Sequence, residues 1–313
     1  MDGVLLVDKP EGITSAGVVR VLKRRVGRQK IGHLGTLDPF ATGLLPLCIG
    51  EATKVAQFLS AEDKAYTGCI RLGVETDSLD CTGRVVGQAP PPSLDSALLE
   101  DICAQFSGEG WQTPPMYSAV KHGGVPLYRL ARRGIEVERE PRRIEVRGLT
   151  LTAAGPSELE FRVECSKGTY VRVLAAGIGR ALGCGGHLGA LRRIRFGSFD
   201  VRDAYRLADL ENWPQSTLPL VPIRAALANL RELVVTPDVA TILRRGQQGV
   251  LASLPVPHSP AETAKIVTTA GDVIAVVEVD TRRGRWRLVR TLAAGAETGQ
   301  SLQAKLYKPQ TAC

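Results

Sequence analysis

An α+β fold, with a mixed and largely antiparallel sheet flanked by helices, is what this 313-residue sequence predicts. Three observations lead there. Apolar residues recur with strand spacing in some segments and helix spacing in others, interleaved without a regular strand–helix–strand repeat. Two strand-like runs, Ile144–Leu151 and Leu159–Cys165, are joined through Ala154-Gly155-Pro156-Ser157, the residue types of a hairpin turn. Finally, Asn212-Trp213-Pro214 and Leu218-Pro219-Leu220-Val221-Pro222 punctuate the chain, and the remainder beyond them is strand-rich. A domain over residues 1–224 and a smaller β-rich one over 225–313 are therefore expected.

The elements run in order along the chain. Gly3-Val4-Leu5-Leu6-Val7 reads as a short buried strand stopped by Lys9-Pro10. Thr14 or Ser15 can cap a helix whose stripe is Val18, Val19, Leu22 and Val26, leaving Arg20, Lys23 and Arg24 on the other side. A glycine-rich loop occupies 32–46, and 51–59 is helix-like. Tyr66–Leu72 alternates as a strand, with 84–87 expected to pair with it across the loop 77–83. Pro90-Pro91-Pro92-Ser93 leads into an amphipathic helix over 94–106, and helical spacing returns over 171–182. In the second domain a helix over 238–245 ends at Gly246. Strands are expected at 264–269, 273–279 and 286–292, and a mobile tail after about 296.

A 44% hydrophobic composition is ordinary for a globular protein. No apolar run approaches the ~20 residues that span a membrane. Met1-Asp2 lacks the basic region of a secretory signal, so a cytoplasmic location is expected. Seven cysteines are odd in number, widely spaced and never arranged C-x-x-C, and the four histidines lack metal-ligand spacing. The glycines of 177–189 do not form G-x-G-x-x-G, and no Gly-Lys pair exists for a phosphate loop. No metal or cofactor is therefore expected. The net charge of +8 points to a polyanionic partner, and residues 225–313, with 11 basic against 7 acidic groups, carry half of the excess. Lys23-Arg24-Arg25, Arg132-Arg133, Arg142-Arg143, Arg192-Arg193 with Arg195, and Arg282-Arg283 with Arg285 and Arg287 are candidate phosphate contacts.

Within Gly32-His33-Leu34-Gly35-Thr36-Leu37-Asp38-Pro39-Phe40-Ala41-Thr42-Gly43, one carboxylate stands among glycines, prolines and apolar side chains. A charge there needs a compensating partner. Read on its own, the stretch also suits a tight turn with Asp38 as its local acceptor. It resembles, however, the catalytic motif of the TruB family of tRNA pseudouridine synthases. Five further stretches are similar to that family's, in the same order: Lys9-Pro10-Glu11-Gly12-Ile13-Thr14-Ser15; Lys64-Ala65-Tyr66 with Thr76-Asp77-Ser78-Leu79-Asp80; Gln112-Thr113-Pro114-Pro115-Met116-Tyr117; Ser166-Lys167-Gly168-Thr169-Tyr170-Val171-Arg172; and His187-Leu188-Gly189-Ala190-Leu191-Arg192-Arg193.

That resemblance implies the pseudouridine synthase fold, a C-terminal PUA-like RNA-binding domain, and isomerisation of the T-loop uridine 55 of tRNA. It implies Asp38 as catalyst and Arg172 as its charge partner, through two parallel hydrogen bonds. Tyr66 is implied as the aromatic beneath the base, with its hydroxyl near the C5 proton transfer, and His33 as the wedge that stabilises the flipped-out state. Tyr170 and Leu191 would line the pocket, Asp80 would orient its polar groups or RNA, and Lys9 would brace the first motif or contact phosphate. Bland readings stand beside these: a surface Arg172, a core Tyr66, a loop or general-base His33, a solvated turn or Mg²⁺ pair at Asp77 and Asp80. The family often has an acid two residues before Gly179, where this chain has Gly177. The T arm of tRNA is the expected partner, with no membrane, no obligatory protein and a monomeric enzyme. A guide-RNA-dependent synthase and an RNA-folding chaperone are the alternative functions.

Overall fold

The computed structural model describes residues 1–214 and 217–293, so the expected tail beyond 296 lies outside the described residues. The chain divides into two compact units, Met1–Asn229 and Leu230–Cys313. The first contains β1 (Gly3–Lys9), α1 (Ser15–Val26), β2 (Ile31–His33), β3 (Thr42–Ile49), β4 (Lys64–Leu72), β5 (Val74–Thr76), β6 (Val85–Gln88), α2 (Ser96–Phe106), β7 (Gly108–Gln112), β8 (Arg142–Gly155), β9 (Glu158–Cys165), α3 (Val171–Ala181) and β10 (Gly186–Phe196). Along the main sheet the order is Tyr205–Arg206, β1, β3, β10, β4, β9, β8, β7. Its ladders are antiparallel except where Tyr205–Arg206 joins β1 and where β3 joins β10, which gives the mixed, largely antiparallel sheet expected.

One apolar core ties the helices to this sheet. Val18 and Leu22 of α1, Leu99 and Ile102 of α2, and Leu174 and Ile178 of α3 pack into the same cluster as Leu5, Leu45, Ile70 and Phe161. In α1 the cap is Thr14, whose Oγ1 accepts from the Gly17 amide at 2.9 Å. Its buried side is Val18, Leu22 and Val26, while Arg20, Lys23 and Arg24 are exposed as their spacing required. The hairpin of β8 and β9 also forms, with Leu151 opposite Phe161.

Other expectations change. The 85–88 segment pairs with β5, not with the 66–72 strand, because β4 is already flanked by β9 and β10. The 51–59 stretch splits into a 3₁₀ turn, Gly50–Lys54, and a helix, Ala56–Ser60. The glycine-rich loop ends at Thr42, where β3 begins despite Pro46 in its middle. The largest omission is β10, at the centre of the sheet. Its three arginines and bulges after Leu188 and Arg193 break the alternation that marks a strand.

The second unit holds β11 (Arg231–Val235), α4 (Pro237–Arg244), β12 (Thr263–Thr268), β13 (Val273–Asp280) and β14 (Arg285–Thr291), paired in the order β11-β12-β13-β14. Leu233, Leu243, Ile266, Val277 and Trp286 form its own core. No helix among the described residues is long and apolar enough to cross a membrane.

Candidate active site

Asp38 lies on the connection from β2 to β3, and both of its neighbours are pinned by the opening segment. The buried Ser15 hydroxyl donates to the Leu37 carbonyl at 3.1 Å, and the Ser15 Oγ in turn accepts from the Leu37 amide at 2.9 Å. On the other side, the Pro39 carbonyl accepts from the Gly12 amide at 2.8 Å and from the Lys9 ammonium at 3.1 Å. Lys9 also donates to the carbonyls of Pro10 and Ile13, each at 2.8 Å, and is fully buried. Desolvation pushes that ammonium down to about 8. The geometry is that of a brace; no amine is left to reach a phosphate. Gly43 lets β3 run against β10. Its φ is +98°, and a Cβ there would lie 2.3 Å from the Arg193 carbonyl oxygen.

Arg172, in the first turn of α3, reaches Asp38 from across the unit. Its Nη2 lies 3.1 Å from Asp38 Oδ1 and 3.0 Å from Oδ2, while Nη1 lies 3.3 Å from Asp80 Oδ2. The expected pair of parallel bonds to Asp38 is therefore replaced by a bridge between two carboxylates. Asp80 Oδ1 is saturated by the Ser78 hydroxyl at 2.7 Å, the Thr82 hydroxyl at 2.6 Å and the Thr82 amide at 3.0 Å. The Asp77–Asp80 pair is thus neither a solvated turn nor a shared pair, since Asp77 faces Arg84. Leu79 takes a left-handed φ of 65°, its carbonyl accepting from the Leu188 amide of β10 at 3.0 Å. Side-chain exposure separates the two acids: 29% for Asp38 and 4% for Asp80. Only Asp38 is open to a substrate. Burial raises its carboxyl above the usual aspartate value; Arg172 pulls the other way, Asp80 adds to the rise, and Lys9 opposes it.

Tyr170 caps α3, and the buried Gln112 of β7 holds it at both ends. The Tyr170 amide donates to Gln112 Oε1 at 2.7 Å, and Gln112 Nε2 donates to the Tyr170 carbonyl at 3.1 Å. Tyr66 is buried on β4, close enough to Asp38 for that charge to raise its phenol further, burial being the main cause of the rise. Leu191 is buried on β10 opposite Gly68 of β4, two residues from Tyr66. His33, on β2, has a buried Nδ1 with no hydrogen-bond partner among the described residues. Burial, and after it Arg193, lowers its pKa, so the ring is neutral near pH 7. His33 also lines a groove of about 560 Å³ with Val19, Lys23, Lys30 and Cys48, which none of Asp38, Tyr66 or Arg172 lines.

The cluster at Arg192, Arg193 and Arg195 is not a free basic face. Arg192 holds Asp8 through two bonds of 2.9 and 2.8 Å, Arg195 pairs with Glu164 at 2.7 Å, and Arg193 is buried. Ser15, Gln112 and Arg193 stood inside quoted motifs without a role; their partners lie 22, 58 and up to 158 residues away. At Gly177, α3 packs on α2, and a Cβ would lie 3.0 Å from Phe106 Cε1. The Phe106 ring stands where a side chain at position 177 would go.

Comparison with known proteins gives the chain its family. Residues 23–171 match the family model described as TruB family pseudouridylate synthase (N terminal domain), and 172–235 match the tRNA pseudouridylate synthase B C-terminal domain. The chain is 47% identical over 240 residues to the tRNA pseudouridine synthase B of Syntrophotalea carbinolica, covering 76% of this chain and 78% of that protein. The protein of the same name from Geotalea uraniireducens is 41% identical over 299 residues, 93% of this chain and 96% of the other. Among solved structures, a chain of a Cbf5-Nop10-Gar1 complex superposes with a TM-score of 0.71 at 24% identity, covering 92% of this chain and 84% of that one, which shows a shared fold. The chain belongs to the TruB family of pseudouridylate synthases.

Proposed function

We propose that this enzyme isomerises the uridine at position 55 of the tRNA T loop to pseudouridine, with Asp38 as its catalytic carboxylate. The relatives that carry the name tRNA pseudouridine synthase B support the reaction and the substrate class. The observation that carries the residue assignment is the Arg172 bridge, which leaves one open carboxylate held by a cation inside a clamped loop. In the reaction the bond from N1 to the ribose breaks, C5 takes its place, the proton on C5 is lost and N1 gains one. Nothing is oxidised and no group is donated, so no cofactor is called for. Asp38 supplies the negative charge or nucleophile at the electron-poor centre. Arg172 keeps it ionised and aimed, and Asp80 fixes Arg172.

Flipping the base costs a few kcal/mol. Stacking on Tyr66 returns about 1–3 kcal/mol, and the neutral ring of His33 fills the vacated space. Tyr170 and Leu191 form the pocket wall. The exposed arginines and lysine of α1 contact backbone phosphates, as does the second unit, read as a PUA-like RNA-binding domain. The enzyme acts as a cytoplasmic monomer without an obligatory protein partner.

The test is site-mapped pseudouridine formation on an unmodified tRNA transcript by wild type and Asp38→Asn. Conversion at the single T-loop uridine by wild type alone is expected. Binding without conversion by either protein would instead favour a chaperone, or an enzyme that requires a partner.

A further inference from the structure

Arg193 is a permanent cation in the interior, 1% exposed, and no carboxylate among the described residues pairs with it. Its Nε donates to the Leu44 carbonyl at 2.7 Å and its Nη2 to the Gly35 carbonyl at 3.0 Å. The guanidinium carbon lies 5.2 Å from the centroid of Phe196, a ring that also receives Lys64 at 4.4 Å. Across the β10–β4 ladder Arg193 stands directly opposite Tyr66, so the two side chains share one face of the sheet. Two carbonyls and a phenyl ring could be satisfied by a neutral donor. Burying a full charge among neutral groups is costly, and negative charge developing on a neighbour would offset that cost further. The neutral neighbour that faces it across the ladder and can do so is the phenol of Tyr66.

We propose that Arg193 is the positioning residue of Tyr66, standing opposite it across the β10–β4 ladder and keeping an uncompensated positive charge against its phenol. This deepens the functional reading above and rests on it. Because a guanidinium can only donate, the proton of a phenol facing it is directed away from the guanidinium. Negative charge that gathers on the oxygen when it exchanges a proton with the pocket is met by a fixed cation. The other charged or titratable groups near this pair are Asp38, Cys165, Lys64, Lys9 and His33. Of the six tyrosines in the chain, only Tyr66 combines this partner with a place beside Asp38 among the described residues.

The test uses full-length protein with tyrosine labelled by ¹³C at Cζ, the Tyr66 signal being identified by its loss in Tyr66→Phe. Arg193→Gln is expected to shift that signal while the other five hold, and Arg193→Lys to shift it less in the same direction. If Arg193→Gln does not fold, Arg193→Lys carries the measurement alone. An unmoved Tyr66 signal in a folded variant overturns the proposal. In single-turnover assays Arg193→Gln should slow conversion at least about tenfold, with tRNA affinity within twofold of wild type. A loss confined to affinity, with the chemical rate kept, also overturns it. The NMR arm needs no substrate, so it judges Arg193 even if the functional reading were to fail.

Discussion

Removing the Arg172 guanidinium tests the two-carboxylate bridge directly. Arg172→Gln leaves Asp80, 4% exposed, and Asp38 without their shared cation. Taking one partner from a buried ion pair costs about 3–5 kcal/mol. Asp80 keeps three other hydrogen bonds, and Asp38 opens to solvent, so the lower half of that range applies to the site. At ~1.4 kcal/mol per factor of ten, the single-turnover rate should fall about 10²–10³-fold. Arg172→Lys keeps the charge but cannot span two carboxylates 3.0 and 3.3 Å from different nitrogens. It loses one charge-assisted bond, about 1.5–3 kcal/mol, and should slow the step about 10–100-fold. The assay is tritium release from tRNA labelled at uridine C5, with enzyme in excess, because the new bond displaces that hydrogen. Arg172→Gln within threefold of wild type, or a deficit erased by saturating tRNA, would refute the bridge as a catalytic device.

Because burial holds the Asp38 carboxyl above its ordinary value, it takes up a proton earlier as pH falls. The acid limb of the single-turnover profile should therefore lie above the ~3.9 of a free aspartate. Asp80→Asn, which removes a like charge, should lower that limb, and Arg172→Gln should raise it; a limb that ignores both would count against Asp38 as the titrating group. Lys9 falls from 10.5 to about 8 on folding. Between those values the unfolded chain holds a proton that the folded chain has lost, so stability from this group rises with pH. In urea unfolding the deficit of Lys9→Met against wild type should widen from pH 8 to 10, by at most about 1.4 kcal/mol per unit, whereas a constant deficit would mean the ammonium is not the buried group. The exposed Arg282 and Arg283, replaced together by glutamate, should weaken tRNA binding and flatten its salt dependence by about 0.7–0.9 in log–log slope for each phosphate no longer neutralised. Rates at saturating tRNA should hold; a matching fall in the chemical step would place these residues elsewhere.

Local features of the chain were legible in its sequence, and long-range ones only where motifs stood for them. The stripe of α1, a cap at Thr14 or Ser15 (Thr14 in the structure) and the β8–β9 hairpin depend on neighbours within a few residues, and they form as read. The strand β10 escaped because a buried arginine occupies a core-facing position and two bulges interrupt its period. Pro46 concealed β3 in the same way. Within the site, Asp38 and Arg172 were paired through resemblance, but the attachment of Asp80 to the same guanidinium was not. Nothing local specifies which face of the 76–82 turn meets a helix 92 residues later. Arg193 was grouped with Arg192 and Arg195 for a comparable reason: a run of basic residues reads as one surface, whereas successive side chains of a strand point to opposite faces.

The place of β10 between β3 and β4 has a consequence for how the molecule comes into being. As the chain is synthesised, β1 and β3 on one side, and β4, β9, β8 and β7 on the other, are complete before residue 186 exists. Each half can pair internally, yet no ladder along the sheet joins them until the last long strand slides between β3 and β4. Both acids of the site are also made early, and their common cation 92 residues after the second. Pairing this distant in sequence is slow. The same insertion that closes the sheet delivers Leu191 and Arg193 beside Tyr66, so a chain arrested before residue 186 holds two half-sheets and an unfinished catalyst. Maturation of the enzyme and closure of its sheet are a single late event.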